Sequence, residues 1–343
     1  MRPPPFVVLS HLRTVALAGV LAVIALCATG CVSKITGNEG NLVFSYLADD
    51  NFADFNKAIA VGARLDLQVR EAGTSAVVTL TEATSDDAKV LSVPSHTATA
   101  VTVAGVGAGS ALLEVAATTK SGEKVTDSVN LTVRVPTKMK LHHYCSDAAS
   151  AYYLVNNKVL VPYELELDSG AAVVGYGYQP VDVTPAGAAT LDGSSKAQQH
   201  LWLQLGDSAG KVTIASKIDS TTLELDVVSP DLIDGAILDG GAFATTAYRS
   251  TKHLVLVRPT IGGKPVCQAN TEMVATSTTT DVCSVKALTI ANDSEGVVNA
   301  WGWVEVAGAK VGKCDFNVTF AKANAGNGIS VSFTVDVVAL RQP

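Results

Sequence analysis

Three stretches of this chain share one pattern: VTVAGVGAGSALLEV at 101–115, WLQLGDSAGKVTIAS at 202–216 and WVEVAGAKVGKCDFNVTF at 303–320. In each stretch apolar and polar residues alternate, a short turn containing glycine interrupts the alternation, and the alternation then resumes. A period of two residues is typical of a β-strand that buries one face. We interpret each stretch as a β-hairpin, in which two such strands are joined by the glycine turn.

The spacing of these stretches predicts three repeats. The last glycines of the three turns, Gly109, Gly210 and Gly312, are 101 and 102 residues apart. Each stretch is followed by one more alternating strand, and the first two of these strands run into Pro136 and Pro230, which suit strand ends because proline cannot donate to a sheet. A repeat of about one hundred residues has the size of a β-sandwich domain. The sequence therefore predicts an all-β protein of three tandem β-sandwiches.

Domain boundaries follow from the repeats and from the composition of the N-terminus. Helical periodicity is scarce, and we expect no more than a short helical turn in each of two segments, Asp50–Ile59 and Asp147–Leu154. The predicted segments are a signal peptide at 1–30, a tether at 31–41, and immunoglobulin-like domains at 42–136, 137–230 and 231–343, the last with one or more disulfides.

The first repeat resembles the bacterial immunoglobulin-like family of the Big-2 type. The residues that carry the resemblance are Val61–Leu67, Ala88–Val93, Val103–Val115 with its Gly-x-Gly-x-Gly turn, and the final strand Val129–Val135. The second and third repeats depart from this pattern, since their turns read GDSAG and AGAKVG. The resemblance implies an immunoglobulin-like fold for the first repeat, and the other two are assigned to that fold on their architecture.

The N-terminus resembles the export signal of a bacterial lipoprotein. A basic start is followed by an uncharged apolar run, Thr14–Gly30, as in a secretory signal. The run ends in Ala28–Cys31, which resembles a lipobox, the motif whose cysteine is acylated and becomes the first residue after cleavage. The resemblance implies a palmitate-type lipid anchor on Cys31, with the lipid bilayer as partner, and Val32 in place of aspartate implies the outer membrane. An ordinary cleaved signal and an uncleaved anchor helix are the alternatives.

Four cysteines remain after the signal and Cys31 are set aside: Cys145, Cys267, Cys283 and Cys314. An even number of cysteines in an exported chain favours disulfides, and four cysteines allow three pairings. Since three of the four lie after residue 266, we expect at least one disulfide within the C-terminal part.

Charge and motifs exclude several functional classes. The chain has 25 Lys and Arg against 32 Asp and Glu, for a net charge of −7, and no basic run follows the signal. Neutralising phosphates requires clustered basic residues, so the sequence predicts no nucleic-acid partner. No GxSxG, HExxH, P-loop or EF-hand motif is present, and Gly105–Gly109 lies between two strands, where a phosphate loop would precede a helix. We predict no catalytic site, no metal site and no cofactor.

Two segments could nevertheless supply metal ligands. Imidazole and thiolate in His142–Cys145 are good ligands, although adjacent histidines in a strand point to opposite faces, and a strand with a disulfide cysteine is the competing interpretation. The acidic stretch Asp231–Asp239 lies where the second and third repeats join, and its carboxylates could hold one calcium ion, with a solvated linker as the alternative.

Alternating aromatic residues suggest a binding surface. Trp301 and Trp303 lie on one face of a predicted strand, as do Tyr176 and Tyr178. An exposed pair of rings can stack on a sugar or contact a protein, whereas the competing interpretation places these rings in the core. Trp301 and Trp303 form the predicted binding platform.

The function predicted from these features is that of a non-enzymatic, lipid-anchored envelope or cell-surface protein. Its tandem domains would serve adhesion, presentation or scaffolding, with an unknown protein or glycan as partner. The alternative is a carbohydrate-binding module or accessory protein of an envelope or polysaccharide-degrading system. A hydrolase with a site at a domain junction is a third hypothesis.

Overall fold

The structure is a computed structural model, and it confirms an all-β fold. It describes residues 34–46, 55, 57–145, 150–194, 196, 199–239, 245–269, 271–288 and 302–340. In this part the chain forms 27 β-strands and one short 3-10 helix, Pro230–Leu232. No helix within these ranges is both long and apolar enough to cross a bilayer.

The strands before the 3-10 helix are β1 to β18. In chain order they are Lys34–Thr36, Leu42–Tyr46, Ala58–Ala60, Arg64–Glu71, Thr79–Ser85, Leu91–His96, Ala100–Gly105, Gly109–Thr118, Lys124–Arg134, Lys138–Leu141, Ser150–Leu154, Lys158–Glu166, Ala172–Val174, Val181–Thr184, Ala189–Leu191, His200–Leu205, Gly210–Ser216 and Thr222–Val228. The strands after the 3-10 helix are β19 to β27. They are Gly235–Asp239, Thr246–Tyr248, Lys252–Ile261, Lys264–Pro265, Met273–Ser277, Cys283–Ala287, Trp303–Gly308, Gly312–Phe320 and Ile329–Val338.

One strand arrangement occurs three times. The first copy has β2-β4-β7-β6 in one sheet and β3-β9-β8-β5 in the other. The second has β10-β12-β16-β15 and β11-β18-β17-β14, and the third has β19-β21-β25-β24 and β20-β27-β26-β23. In each copy a four-stranded sheet faces a sheet whose edge strand pairs in parallel with the last strand. This is the strand order of an immunoglobulin-like sandwich. We call the copies the first, second and third sandwich.

The three stretches predicted as hairpins are not hairpins. Their strands β7 and β8, β16 and β17, and β25 and β26 lie in different sheets, and β8, β17 and β26 pair instead with β9, β18 and β27. Each glycine turn therefore carries the chain from one sheet to the other. At Gly105 a Cβ atom would lie 2.6 Å from the carbonyl oxygen of Ala60, so the close passage requires glycine.

The predicted helical turns are wrong where the structure describes them. Ser150–Leu154 is strand β11, which pairs in parallel with β18 and buries Tyr153 completely. Ala58–Ala60 is strand β3. The remaining residues of both predicted turns, apart from Phe55 and Lys57, lie outside the described ranges. Tertiary pairing decides these short segments, since their local sequence carries only a weak helical signal.

Residues 34–41, predicted as part of a tether, are folded onto the first sandwich. Strand β1 pairs with β2, and the turn between them is held by Asp127, whose side chain is only 2% exposed. Its carboxylate accepts hydrogen bonds from the amides of Glu39, Asn41 and Leu42, at 2.9, 2.8 and 2.7 Å. A free tether can therefore include no more than the residues before Lys34.

The apolar core forms two clusters in the described chain. One cluster extends from Leu42 to Val227 and joins the first and second sandwiches, with Cys267 as its one fully buried member from the third. The other lies within 233–337 and takes a fully buried side chain from earlier in the chain only at Leu154. The second cluster has no member from residues 34–136, so the sandwiches are connected in series.

The first junction is a continuous sheet. Strand β3 pairs with β9 on one side and with β13 of the second sandwich on the other, through Ala58–Val173 and Ile59–Val174. The two sandwiches thereby share one nine-stranded sheet. Beside it, the Asp66 carboxylate accepts a 2.9 Å hydrogen bond from the Tyr176 hydroxyl, which ties the two sandwiches together a second time.

The second junction combines a disulfide with a buried amide. Cys145 of the second sandwich is bonded to Cys267 of the third, with 5.7 Å between their Cα atoms. The Cys267 amide donates to the Tyr152 carbonyl at 2.7 Å. Next to it, the buried Gln268 side chain donates to the carbonyl oxygen of Leu160 at 2.7 Å and accepts a hydrogen bond from the amide of the same residue. Both junctions are therefore fixed by directional bonds.

Candidate functional site

The cysteines pair across the second junction and within the third sandwich. Besides Cys145–Cys267, the structure has a Cys283–Cys314 disulfide with 5.6 Å between the Cα atoms. Both bonds suit an oxidising compartment. The bond at the junction also removes the thiolate that the His142–Cys145 metal hypothesis needs.

The two adjacent histidines point to opposite sides, as expected for a strand. His142 is exposed, whereas His143 is buried and its Nδ1 lies 3.0 Å from the Tyr153 hydroxyl. Within the described residues, no three His, Cys, Asp or Glu side chains are placed to hold a metal ion together.

The aspartates of the acidic stretch at 231–239 bond to separate partners. The Asp234 carboxylate accepts from the Gly262 amide at 2.7 Å, and that of Asp239 forms an ion pair with Arg258 at 2.6 Å. Asp231 contributes its backbone carbonyl to a hydrogen bond with the Ala325 amide. These contacts brace the start of the third sandwich and do not gather carboxylates into a calcium cage.

The tyrosines at 176 and 178 do not form an exposed platform. Tyr176 is 7% exposed and belongs to no strand. Its backbone makes an isolated antiparallel bridge with Arg64 of β4. Its hydroxyl bonds to Asp66 at the first junction. Burial, followed by the hydrogen bond and the negative charge of Asp66, raises the pKa of Tyr176. The Tyr178 ring is packed against Gly62 and the core. Both rings therefore stabilise the first junction.

Trp303 lines a small cavity at the second junction. It shares this cavity, of about 100 Å³, with Tyr144, Leu256 and Arg258. The register of the sheet explains the grouping: β21 and β25 pair Leu256 with Trp303, and β19 pairs with β21 so that Ile237 lies opposite Arg258. The outer face of this sheet thus presents the indole of Trp303 and the aliphatic side chain of Leu256 beside the guanidinium group of Arg258.

Arg258 gives the cavity a fixed polar wall. Its guanidinium donates to the Cys145 carbonyl oxygen at 3.0 Å and pairs with Asp239, and its side chain is 19% exposed. Tyr144, which is 45% exposed, stands at the rim. A cavity of this size is well below the 300–1,000 Å³ typical of an enclosed small-molecule site. It can form one side of a shallow contact with a ring but cannot enclose a whole ligand.

The predicted site residues are only partly described. Cys31 and Trp301 lie outside the described residues, so the lipid anchor and the paired-tryptophan platform stay predictions. Sequence reasoning identified Trp303 but missed Tyr144 and Arg258. These two are more than a hundred residues apart in the chain, and no local motif connects them.

Comparisons with known proteins give remote likenesses. No family model matches the chain, and no curated protein matches it. Among solved structures it is similar to domains 4–9 of the surface layer protein SbsC, at 16% identity and a TM-score of 0.28 over 87% of this chain and 47% of that one. The chain thus spans about half of that structure.

Two other solved structures are similar at the same level. Invasin, a bacterial integrin-binding protein, matches at 11% identity and a TM-score of 0.23, over 87% of this chain and 60% of that one. SGBP-B of the Bacteroides ovatus mixed-linkage glucan utilization locus, in complex with a heptasaccharide, matches at 13% identity and a TM-score of 0.26, over 86% of this chain and 70% of that one. At TM-scores below 0.5, these likenesses carry no argument about function.

Proposed function

We propose that this protein is a non-enzymatic, lipid-anchored protein of the outer membrane, which uses three fixed sandwiches for adhesion, presentation or scaffolding. The observation that carries the proposal is that both junctions are bridged, one by a continuous sheet and one by a disulfide. Tandem domains joined only by linkers move independently by default. A chain that bridges every junction is suited to hold its last domain at a fixed place relative to its first.

The anchor is supported by the sequence around Cys31 and by the two disulfides, which persist in exported proteins. Each buried methylene of an acyl chain contributes about 0.8 kcal/mol of membrane affinity, so several chains hold a protein almost permanently.

We expect labelled palmitate to be incorporated into the wild-type protein and not into a Cys31→Ala variant. The reason is that Cys31 supplies the thiol that the resemblance assigns to acylation. The variant should also be released from membranes by mild washing or retain its signal uncleaved. Equal label in the two proteins would remove Cys31 as the anchor, without affecting the account of the junctions.

A second candidate function is glycan binding at the Trp303 cavity. The specific observation is the combination of an indole with the guanidinium of Arg258 and the ring of Tyr144 around one shallow concavity. Aromatic faces stack on the apolar side of a sugar ring, while planar charged groups bond its hydroxyls.

For this second function, we expect Trp303→Ala to reduce retention on immobilised envelope or plant polysaccharides at least tenfold, because the stacking face is lost. The matched control is Val274→Ala, since Val274 is 63% exposed but does not line the cavity. Retention that is equal in Trp303→Ala and wild type would exclude this site for glycans.

A further inference from the structure

The two junctions of this chain are made in the same way. In the first, strand β3 pairs in parallel with residues that follow β12 of the next sandwich, through Ala58–Val173. In the second, Tyr152 of β11 makes a parallel bridge with Val266, which follows β21, the counterpart of β12 in the third sandwich. In both cases the parallel edge strand of one sandwich receives an extended segment of the following one.

The register shows which residues of the third sandwich correspond. Gly109, Gly210 and Gly312 lie opposite Val133, Val227 and Val337 in the last strand of each sandwich. Those valines in turn pair with Ile59, Tyr153 and Ala247 of the parallel edge strands. Ala58 and Tyr152, the residues that receive the next sandwich, therefore correspond to Thr246 of β20.

The receiving edge of the third sandwich has no pairing partner within the described residues. Strand β20 is the last strand of its sheet in the described chain. Tyr248, at its end, is 45% exposed, whereas the corresponding Ala60 and Leu154 are fully buried at the two internal junctions. An edge strand with an exposed aromatic side chain is a template for further pairing.

The first sandwich carries the complementary segment. After β4 the chain turns back, with the Glu71 amide donating to the Ala76 carbonyl oxygen and Arg70 bridging to Val77. The chain also turns back after β12, through a longer turn, and places Val173 opposite Leu165. Ala76 and Val77 therefore correspond to Val173 and Val174. Val77 is 55% exposed, whereas Val174 is 1% exposed.

The described residues before β2 leave Val77 exposed. Strand β1 runs antiparallel to β2, so Lys34 lies opposite Ser45, whereas the turn after β4 lies beside the other end of β2, where Leu42 is opposite Glu71. Lys34, the first described residue, thus lies at the end of β2 away from the exposed Val77.

We propose that a second copy of this chain docks its Ala76–Val77 segment on the β20 edge of the first, and that the copies repeat the internal junction head to tail. The two surfaces are different, so the contact is heterologous and leaves one free surface at each end. A heterologous contact adds further copies into an open chain or a closed ring, so the expected product is an assembly of more than two copies.

The test is a cysteine ladder in cells that produce the full chain. Ala76 and Thr246 would face each other across adjacent strands about 4.8 Å apart, within the range of a disulfide. A protein carrying both Ala76→Cys and Thr246→Cys should run on a non-reducing gel as a ladder of dimers, trimers and higher species, and should return to monomer on reduction. Each single variant alone should give no species above a dimer.

Matched substitutions in the ladder variant locate the contact. Tyr248→Asp should lower the amount of cross-linked species above a dimer at least tenfold, because a charge would be buried at the new junction. Val274→Asp should leave it unchanged, because Val274 is similarly exposed, at 63%, but lies on β23 at the opposite edge of the same sheet. A double-cysteine protein that is folded by circular dichroism and yields no more than dimers would overturn the proposal. So would loss of the ladder in Val274→Asp to the same extent as in Tyr248→Asp.

Discussion

Replacing both Cys145 and Cys267 with serine should lower the free energy of unfolding by about 4 kcal/mol, since this disulfide closes a loop of 122 residues in the unfolded chain. It should also separate the unfolding of the third sandwich from that of the first two. The reason is that the two apolar clusters meet at this junction through few buried side chains, with Leu154 and Cys267 reaching across. The measurement is differential scanning calorimetry, in which one transition should become two.

The matched control is the double substitution Cys283→Ser and Cys314→Ser. This disulfide closes a loop of 31 residues inside the third sandwich and touches no junction. Its removal should lower the melting temperature without separating the transitions. If both double variants split the transition, or neither does, the disulfide at Cys145 is not what couples the sandwiches.

Replacing Asp127 with alanine should lower the free energy of unfolding of the first sandwich by about 3 kcal/mol or more. The carboxylate accepts hydrogen bonds from four backbone amides, those of Glu39, Asn41, Leu42 and Ser128. A buried donor left without a partner costs about 1–3 kcal/mol. Hydrogen exchange should show the largest loss of protection in β1 and in the turn that follows it.

The same carboxylate should make stability depend on pH. Burial opposes ionisation of Asp127, but the hydrogen bonds donated by the backbone amides of Leu42, Glu39 and Ser128 outweigh it and hold the pKa below the ordinary 3.8. The stability that the ionised Asp127 carboxylate contributes is therefore complete above pH 3.8, the ordinary pKa, and is lost as the pH falls through the lower pKa that Asp127 has in the folded protein. The melting temperature of Asp127→Asn should accordingly fall less than that of wild type between pH 5 and pH 2. Parallel curves for the two proteins would contradict this assignment.

Much of the fold can be predicted from alternation alone, but strand pairing cannot. Alternation in 101–115 identifies two half-buried strands, because it reports which side chains face a core. It does not report which edges meet, and β7 and β8 consequently belong to opposite sheets. Short edge strands such as Ala58–Ala60 carry too few residues for a period of two. They are fixed by partners far away in the chain.

The candidate site shows the same limit. The alternation around Trp303 predicts the strand that carries its ring, and this prediction needed one segment only. Tyr144 and Arg258 meet there because the Cys145 carbonyl accepts from the Arg258 guanidinium across the second junction, 113 residues away. Nothing local in either segment indicates that contact. Asp127 was missed for a similar reason, since three of the four amides that it binds lie more than 80 residues earlier.

The central claim is that both junctions hold the sandwiches in one arrangement, and a distance distribution tests it most directly. Spin labels at Lys120→Cys and Lys322→Cys would sit on exposed turns of the first and third sandwiches, and pulsed electron resonance would measure the separation between them. The account predicts one narrow distribution in the wild-type background, which broadens when Cys145 and Cys267 are replaced by serine. A broad or multimodal distribution with both disulfides intact would contradict it.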